Sequence, residues 1–341
     1  MKKKALITGV SGQDGAYLAK HLLDLGYHVA GLERRTASNE NFRLKYLGIA
    51  ERVQMLRVDM CDYPTITQII QEHQFDEVYN LAAQSFVGSS WDSPITTSNI
   101  NSIAVTNLLD SIKRFSSHTK IYQASTSEMF GKIMEERQSE DTPFYPRSPY
   151  GVSKLYSHWM VANYRESYGM FACSGILFNH ESPLRGGEFV TKKIVKRLCE
   201  IKKGASGVLA LGNIHAKRDW GFAADYVVAM HMMLQRESPE DFVIGTGVTH
   251  SVKDFCNAVL AKLDLQGEWE GEGLDEKFIS GDDSKVVIEI SEEFFRPAEV
   301  DVLLANPSKA RDILGWEATT SLDTLVDIMI DYELKANIGP R

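Results

Sequence analysis

The sequence predicts an α/β protein built on a doubly wound parallel sheet, and two observations support that prediction. Short runs of β-branched residues alternate with longer helical patterns through the first half of the chain. Most of these runs lack an alternation of apolar and polar residues, which is typical of strands buried on both faces. Because such strands need helical crossovers on both sides of the sheet, the first half is expected to be Rossmann-like.

The predicted elements follow one another in a regular order of strand and helix. Strands are expected at residues 5–8, 29–32, 53–58, 77–81, 121–124 and 173–178. Helices between them are expected at residues 17–25, 66–70, 100–115 and 153–168. In the third helix the apolar residues recur near one face, as in a helix that packs on a sheet.

The pattern changes after residue 178, where a loop with proline and glycine precedes mixed short strands and helices. We expect a Rossmann domain at residues 1–178, to which segments at about 217–246 and 305–320 return. A smaller, mixed α/β part that faces a substrate is expected at about 179–216 and 247–304. Within it, the glycine-rich and acidic stretch 267–284 is interpreted as an exposed loop or hairpin. Residues 321–341 should form a C-terminal helix that packs back on the protein.

Composition and charge exclude several classes of protein. The chain has 341 residues, of which 43% are hydrophobic and 24% charged, close to the average of folded globular proteins. With 37 Lys and Arg against 46 Asp and Glu, the net charge of -9 gives no overall basic field for a nucleic acid. We therefore expect no nucleic-acid partner, and any bound phosphate must meet a local site.

Cysteine use and the lengths of apolar runs indicate a cytoplasmic protein. The 4 cysteines are far apart in sequence and suggest neither a zinc cage nor a disulfide framework. No apolar stretch reaches the roughly 20 residues of a membrane helix, and the first is too short for a signal peptide. We expect no membrane partner and, because the 9 histidines show no ligand spacing, no metal.

A glycine cluster joins the first strand to the first helix. Gly9, Gly12 and Gly15 would let the backbone turn tightly and bring a pyrophosphate to the free N–H groups of the helix. A glycine cluster alone is often only a turn, but the strand-turn-helix context favours nucleotide binding. The candidate cofactor-binding residues here are Thr8, Gly9, Gly12, Gln13 and Asp14.

Charged residues at the end of the second strand bear on the choice of dinucleotide. A carboxylate such as Glu33 usually binds the ribose 2′-hydroxyl of NAD, whereas arginines such as Arg34 and Arg35 accommodate the 2′-phosphate of NADP. Two adjacent arginines with Arg43 nearby favour NADP, because the guanidinium fork matches phosphate geometry. The first domain would then bind NADP. The alternative is a solvated run of surface charge.

Residues after the third and fourth strands are further cofactor candidates, since the carboxyl ends of parallel strands face the ligand crevice. Asp59 could accept a hydrogen bond from the adenine amine. The small pair Ala82 and Ala83 would let a cofactor lie close. The whole set could also be ordinary loop residues, and it comprises Asp59, Met60, Leu81, Ala82, Ala83, Gln84 and Ser85.

The strongest catalytic signal is Tyr150 four residues before Lys154. On a helix the two share a face, so the ammonium can lie beside the phenol. Together with a positive nicotinamide it would lower the pKa of the phenol from the usual value of about 10. This spacing is common by chance, but here it follows Thr126, Ser127 and Glu128 at the end of the fifth strand. A carboxylate in a partly apolar site suits removal of a proton next to a carbonyl, although an exposed glutamate is the usual interpretation.

One histidine and three basic residues are further candidates for the site because of their positions in the sequence. His180 directly follows the sixth strand and could lie over a cofactor or be a plain loop histidine. Lys193, Arg218 and Arg296 are scattered cations, and most surface cations have no specific role.

Together these residues resemble the extended short-chain dehydrogenase/reductase superfamily and, within it, the GDP-mannose 4,6-dehydratase family. The superfamily pattern rests on the three glycines and on Tyr150 and Lys154. The similarity to the dehydratase family runs over nearly the whole chain. Its stretches are 8–14, 77–87, 122–131, 143–154, 164–186, 218–221 and 294–300.

The resemblance implies a lyase of deoxysugar biosynthesis that converts GDP-mannose to GDP-4-dehydro-6-deoxymannose plus water, with tightly bound NADP that is recycled. It implies that Tyr150 takes the proton of the sugar 4-hydroxyl while hydride leaves C4. Glu128 would remove the C5 proton and assist loss of the 6-hydroxyl, after which hydride returns to C6. Thr126 would hydrogen-bond near the 4-oxygen, Lys154 would orient the ribose, and Ser127 would support them.

The resemblance also implies further contacts. Tyr122, His180 and Arg185 would contact the cofactor. The GDP-sugar would be bound by Ser85, Asn179, Val190, Lys193, Arg218, Arg296 and Glu299. The segment from Arg34 to Arg43 would reach a neighbouring subunit, which implies a homotetramer, with a dimer as the alternative. In this segment Thr36 follows the two arginines, where the family often has serine.

Three other functions remain open from the sequence. Close relatives dehydrate other GDP-sugars, such as a manno-heptose or N-acetylglucosamine, and would share these motifs. A nucleotide-sugar epimerase or reductase needs Tyr150 and Lys154 but no C5 base, so Glu128 discriminates against it. A non-enzymatic dinucleotide-binding protein would keep the glycines and lose the reacting groups.

Overall fold

The structure, a computed structural model, describes residues 2–34, 41–295, 300 and 302–335. The strands are β1 (Lys4–Thr8), β2 (His28–Glu33), β3 (Gln54–Arg57), β4 (Glu77–Asn80), β5 (Lys120–Thr126), β6 (Ala172–Leu177), β7 (Asn179–Glu181), β8 (Leu209–Leu211), β9 (Lys217–Arg218), β10 (Trp220–Phe222), β11 (Phe242–Ile244), β12 (His250–Ser251), β13 (Gly267–Glu270), β14 (Lys277–Ser280), β15 (Val286–Ile290) and β16 (Val302–Leu303). The α-helices are α1 (Gln13–Asp24), α2 (Phe42–Tyr46), α3 (Tyr63–His73), α4 (Val87–Asp92), α5 (Pro94–Ser98), α6 (Ala104–Phe115), α7 (Pro149–Tyr168), α8 (Val190–Lys202), α9 (Ala223–Leu234), α10 (Val252–Lys262) and α11 (Leu322–Lys335).

Seven strands form one sheet in the order β11-β6-β5-β4-β1-β2-β3, and every pairing in it is parallel. This sheet confirms the Rossmann-like α/β class. The chain moves outward from β1 to β3 on one side and from β4 to β6 on the other. The direction of winding therefore changes between β1 and β4, and a ligand crevice is expected at the carboxyl ends of these two strands.

Helices cover both faces of the main sheet. On one face α1 and α9 contribute Leu18, Leu22 and Met230 to a buried cluster. On the other face α3 and α6 contribute Ile66 and Leu108 to a second cluster. Each fully buried leucine or isoleucine contributes on the order of 1.5–3 kcal/mol to folding. The inner strands β4 and β6 are buried throughout, as predicted, whereas β3 is partly exposed because it lies at the sheet edge.

The second half of the chain builds three smaller sheets: β10-β7, β12-β9-β16 and β13-β14-β15-β8. Helices α8, α10 and α11 pack around a separate core that includes Leu198, Phe255 and Met329. Residues 267–284 contain the antiparallel pair of β13 and β14, which confirms the hairpin interpretation. β11 returns from this half to the edge of the main sheet beside β6.

Three helices begin earlier than their apolar patterns predicted. α1 begins at Gln13 instead of residue 17, α3 at Tyr63 instead of residue 66, and α7 at Pro149 instead of residue 153. At α7 the Ser148 Oγ accepts a hydrogen bond from the Gly151 N–H at 3.0 Å. Such a polar cap followed by proline starts a helix before its apolar period begins. Tyr150 and Lys154 therefore both lie on α7, one turn apart.

Within the described part of the chain, no helix has the length and apolar character needed to cross a bilayer.

Candidate active site

A cavity of about 920 Å³ lies at the carboxyl ends of the main-sheet strands. Residues that follow β4, β5 and β6 form one side of it, and residues of α8 and of the segments around β8 to β10 form the other. All of the predicted catalytic residues line the cavity: Thr126, Ser127, Glu128, Tyr150 and Lys154.

The predicted glycine turn is too closely packed to accept side chains. Gly9 has a φ of +69°, and a Cβ there would lie 3.0 Å from the backbone of Ala82. A Cβ on Gly15 would lie 2.3 Å from the Gly9 carbonyl oxygen. Gly12 precedes α1 and provides no side-chain cap for its first N–H groups. A turn of bare backbone at a helix N-terminus fits the diphosphate of a dinucleotide.

Two predicted cofactor residues shape this turn. Thr8 is fully buried; its Oγ1 donates to Asn80 Oδ1 at 2.6 Å and accepts from the N–H groups of Leu81 and Ala82 at 3.0 Å. Thr8 therefore holds the loop after β4 in place, which corrects its predicted role as a direct cofactor contact.

Gln13 links the turn to β7 and to the residue that directly follows it. Its Nε2 donates to the His180 carbonyl oxygen at 3.1 Å, and its Oε1 accepts from Ser182 Oγ at 2.7 Å. The turn and this segment therefore hold a fixed relative position.

Tyr150 and Lys154 are both buried where α7 meets the end of β5. The close approach depends on Gly151, since a Cβ there would lie 2.8 Å from the Glu128 carbonyl oxygen. The Lys154 Nζ donates to the Ala124 carbonyl oxygen at 2.9 Å and lies 5.9 Å from the centre of the Tyr150 ring.

Burial dominates the ionisation of this pair. It raises the pKa of Tyr150 to about 12, although a hydrogen bond with Thr126 acts in the opposite direction. It lowers the pKa of Lys154 to about 8. That Lys154 and a bound nicotinamide together favour the phenolate stays a prediction, since the ammonium here is bound to the Ala124 carbonyl oxygen.

Thr126 and Glu128 complete the same wall. The Thr126 Oγ1 accepts a hydrogen bond from the Glu128 N–H at 3.3 Å and starts the 3-10 turn Ser127–Met129. This turn leaves Glu128 half-buried at the cavity while Ser127 is buried. A hydroxyl, a phenol and a carboxylate thus face one space.

Many of the other predicted site residues also line the cavity. The cofactor candidates there are Asp14, Leu81, Ala83, Ser85, His180 and Arg185, and the substrate candidates are Ser85, Asn179, Val190, Lys193 and Arg218. Arg185 pairs with Glu181 at 3.1 Å and stacks over the Phe189 ring at 3.6 Å. Lys193 donates to the Ala210 carbonyl oxygen at 2.8 Å.

Other predicted contacts are not brought to the cavity. Tyr122 is 0% exposed, and its hydroxyl packs where a Cβ on Gly175 would lie 2.3 Å away. Its predicted cofactor contact is therefore corrected: the side chain belongs to the core beneath the sheet. Asp59 accepts a hydrogen bond from the Cys61 N–H at 2.9 Å and shapes its own loop, next to the buried Met60.

The remaining predictions lie at the edges of the site. Arg34 is exposed just after β2. Gln84 is anchored by its N–H, which donates to Asn101 Oδ1 at 2.9 Å. Three predicted residues lie outside the described part of the chain, namely Arg35, Arg296 and Glu299.

Arg43 has a different role from the one its sequence position suggested. Its Nε donates to the Leu184 carbonyl oxygen at 2.7 Å, and its Nη1 donates to the Ser11 carbonyl oxygen at 3.0 Å. The guanidinium therefore fastens the glycine turn to the loop after β7.

Sequence reasoning missed an aromatic part of the cavity wall. Phe86 and Phe189 lie edge to face with ring centres 5.8 Å apart, and Trp91 and Trp220 also line the cavity. Phe86 lies within the stretch 77–87 that carries the family resemblance, and Phe189 directly precedes Val190, but neither was named as a site residue.

No group of three His, Cys, Asp or Glu side chains among the described residues is arranged to hold a metal ion.

The parallel sheet, the glycine turn, the Tyr150 and Lys154 pair on one helix and the polar residues after β5 define an extended short-chain dehydrogenase/reductase. The fold is similar to that of dTDP-glucose 4,6-dehydratase from Bacillus anthracis in complex with NAD, with a TM-score of 0.81 and 19% identity over 98% of this chain and 97% of that one. It is also similar to UDP-glucose 4-epimerase from Thermotoga maritima, with a TM-score of 0.82 and 21% identity over 98% and 99% of the two chains.

Within this class, the chain belongs to the GDP-mannose 4,6-dehydratase family, whose model matches residues 6–329. It is 47% identical to GDP-mannose 4,6-dehydratase of Vibrio cholerae over 352 residues, covering 98% of this chain and 95% of the relative. It is 45% identical to GDP-mannose 4,6 dehydratase of Dictyostelium discoideum, covering 98% of this chain and 96% of the relative.

Proposed function

We propose that this protein is a hydro-lyase that converts GDP-mannose to GDP-4-dehydro-6-deoxymannose and water. The observation that carries the proposal is Glu128 on the same cavity wall as Tyr150 and Thr126. An elimination across C5 and C6 requires a base for the C5 proton, which a simple oxidation or 4-epimerisation does not. Family membership supports the same reaction.

We propose NADP as the cofactor, tightly bound and recycled. The residues that would hold it are the glycine turn, Gln13, Asp14, the loop at 81–85, His180 and Arg185. Arg34, exposed after β2, and Arg35, from the sequence, supply the guanidinium charge that a 2′-phosphate requires. When bound, the nicotinamide would accept a hydride from the sugar and later return it, so no net reductant is consumed.

Tyr150 would act on the proton of the sugar 4-hydroxyl. Burial raises the pKa of the phenol, and the hydrogen bond with Thr126 acts against that rise by stabilising the form that accepts a proton. Lys154 would fix the end of β5 relative to α7 through its bond to Ala124.

Glu128 would carry out the elimination. Its carboxylate takes the C5 proton, the C5–H and C6–O bonds break, and a C5=C6 double bond forms. The same carboxyl group then gives a proton to the departing 6-hydroxyl, which leaves as water. When hydride returns to C6, C5 takes a proton that Glu128 has gained from the solvent, so protons balance over the cycle. The 3-10 turn that holds Glu128 half-buried suits a base that must exchange its proton.

The GDP part of the substrate would lie on the side of the cavity that is formed by α8 and by the segments around β8 to β10. Lys193 and Arg218 line that side and offer positive charge to the diphosphate. Asn179, Val190 and Ser85 line the cavity between the two sides. From the sequence, Arg296 and Glu299 would add a cation and a hydrogen-bond acceptor.

We also propose the division of the chain into an NADP-binding domain at 1–178, with returning segments at 217–246 and 305–320, and a GDP-sugar part at 179–216 and 247–304. The main sheet takes its strands from 4–177 and 242–244, which supports this division.

We propose that the protein is a cytoplasmic homotetramer. Ile95 and Trp159 are 76% and 58% exposed, and large apolar side chains in water favour association with another copy. The 4 cysteines are free, in keeping with a reducing compartment.

The proposed function is tested by incubating the purified, dinucleotide-loaded protein with GDP-mannose and no added reductant. Mass analysis should show loss of one water, with no net change in NADPH absorbance. Unchanged GDP-mannose would contradict the substrate, and the same assay with GDP-linked manno-heptose and N-acetylglucosamine would then identify another dehydratase. An isomer of unchanged mass would instead indicate an epimerase.

A further inference from the structure

His180 bridges the glycine turn and the second half of the chain from within the cavity wall. It is 7% exposed. Its Nδ1 lies 2.7 Å from the Phe178 carbonyl oxygen, and its Nε2 lies 2.8 Å from Asp14 Oδ2. Its ring stacks on that of Tyr226, with centres 4.7 Å apart and 28° between the planes.

Both partners of the His180 ring are hydrogen-bond acceptors. A backbone carbonyl oxygen has no proton to donate, and neither has an ionised carboxylate. A neutral imidazole carries one N–H, so one of the two contacts would then join two lone pairs. An imidazolium, with an N–H on each nitrogen, satisfies both.

The neighbours of Asp14 favour its ionised form. Burial opposes its ionisation, but His180 and a hydrogen bond from Gln13 outweigh burial and lower the pKa of Asp14 to about 2. The Gln13 Nε2 donates to Asp14 Oδ1 at 3.0 Å.

Among the residues that the structure describes, few other charges face His180. Burial lowers the pKa of His180, but the attraction and hydrogen bond of Asp14 outweigh it, and the net direction is upward. Arg185 opposes a positive His180, although its charge is shared with Glu181 at 3.1 Å. From α9, the ring of Tyr226 presents its face, which tolerates a cation.

We propose that His180 is held as an imidazolium at neutral pH and is the counter-ion that lets a carboxylate occupy the first turn of α1. The inference rests on the proposed function, since it concerns the dinucleotide site. Asp14 alone would repel a diphosphate at this helix N-terminus. His180 cancels that charge and acts as a positioning residue through Asp14.

The charge state is tested first by NMR of protein labelled with nitrogen-15 histidine, with His180→Gln used to assign the ring signals. Both ring nitrogens of His180 should stay protonated at pH values above about 6.5, the ordinary pKa of a histidine. One unprotonated ring nitrogen at neutral pH would overturn the proposal. This measurement uses no ligand, so it does not depend on the proposed function.

The counter-ion role is tested by calorimetric titration with NADP⁺. His180→Gln leaves Asp14 uncompensated and should weaken binding by about tenfold or more. Addition of Asp14→Asn to that variant should recover most of the loss, because the repelling charge is gone. Asp24→Asn, at the other end of α1, is the matched control.

If the contact between Asp14 and His180 were purely structural, Asp14→Asn would not restore NADP⁺ binding to His180→Gln. The double variant would then bind as weakly as His180→Gln or more weakly, and the proposal would be wrong. Failure of the native protein to bind NADP⁺ or NAD⁺ would contradict the proposed function, while the NMR result would still decide the charge of His180.

Discussion

The Lys154 ammonium donates a hydrogen bond to the Ala124 carbonyl oxygen at 2.9 Å. Lys154 lies one turn after Tyr150 on α7, and Ala124 lies two residues before Thr126 on β5. One buried bond therefore fixes the two elements that carry the phenol and the hydroxyl. The same burial lowers the pKa of Lys154 to about 8.

We expect Lys154→Met to abolish most turnover while the protein still folds. The apolar side chain fits a buried position, but the bond that fixes the end of β5 against α7 is lost, and a fall in kcat of about 10²-fold or more is expected. Turnover with GDP-mannose and circular dichroism measure the two effects. Lys20→Met, an exposed lysine on α1, is the control, and a near-native kcat for Lys154→Met would contradict the role of the lysine.

The pKa of Lys154 also predicts a pH effect on stability. Because the folded pKa is below the ordinary value of 10.5, the unfolded chain holds more protons between pH 8 and pH 10.5. The native protein should gain up to roughly 3 kcal/mol over this window relative to Lys154→Met. Urea unfolding at several pH values measures the difference, and parallel curves for the two proteins would contradict it.

The pair of Asp14 and His180 should make its largest contribution to the free energy of unfolding at mildly acidic pH. The pKa of Asp14, lowered to about 2 from 3.8, gives a contribution that is present above pH 3.8 and lost as pH falls through 2. The raised pKa of His180 gives a contribution that is present below its ordinary value of 6.5 and lost as pH rises through the folded value.

The difference in unfolding free energy between the native protein and Asp14→Asn should therefore be largest between about pH 4 and pH 6.5. Unfolding with urea across this range provides the measurement. A surface variant such as Asp282→Asn should follow the native curve, and a difference independent of pH would show that the pair is not charged.

The glycine turn predicts a strong effect of a single methyl group. In Gly15→Ala the added Cβ would lie 2.3 Å from the Gly9 carbonyl oxygen, so the turn must open. We expect a loss of about 1–3 kcal/mol in stability and weaker binding of NADP⁺. Gly281→Ala, in the exposed hairpin, adds a Cβ with ordinary contacts and should change neither. Native-like binding by Gly15→Ala would exclude the turn from the dinucleotide site.

The exposed apolar residues predict how the protein assembles. Ile95→Asp combined with Trp159→Asp should reduce the mass measured by light scattering, because a charge in an interface must lose its hydration. Leu25→Asp, at a position 52% exposed at the end of α1, is the control. An unchanged mass for the double variant would place the assembly interface elsewhere.

Much of the fold was predictable because its signals are local. Buried parallel strands have continuous apolar runs, and the glycine turn marks the junction of β1 and α1. Since the ends of parallel strands meet at one edge, Thr126 and Glu128 could be placed near the turn from order alone. The predicted catalytic residues all line one cavity, together with Asp14 at the end of the turn.

The errors concern side-chain direction and long-range partners. A strand buried on both faces has no alternation, so the sequence could not show that Tyr122 points into the core. Asp14 and His180 are 166 residues apart, and no periodicity connects them. Arg43 binds carbonyl oxygens of two loops whose proximity exists only in the folded chain.

The most direct test of the central claim measures how much deuterium the product gains at C5 of its sugar. Native protein and Glu128→Gln are each incubated with GDP-mannose in deuterated water. Native protein should form a product that has lost one water and gained deuterium at C5. Glu128→Gln should bind NADP⁺ normally yet form no such product, whereas Glu136→Gln, an exposed glutamate, should behave as native. Dehydrated, C5-deuterated product from Glu128→Gln at a near-native rate would contradict Glu128 as the C5 base.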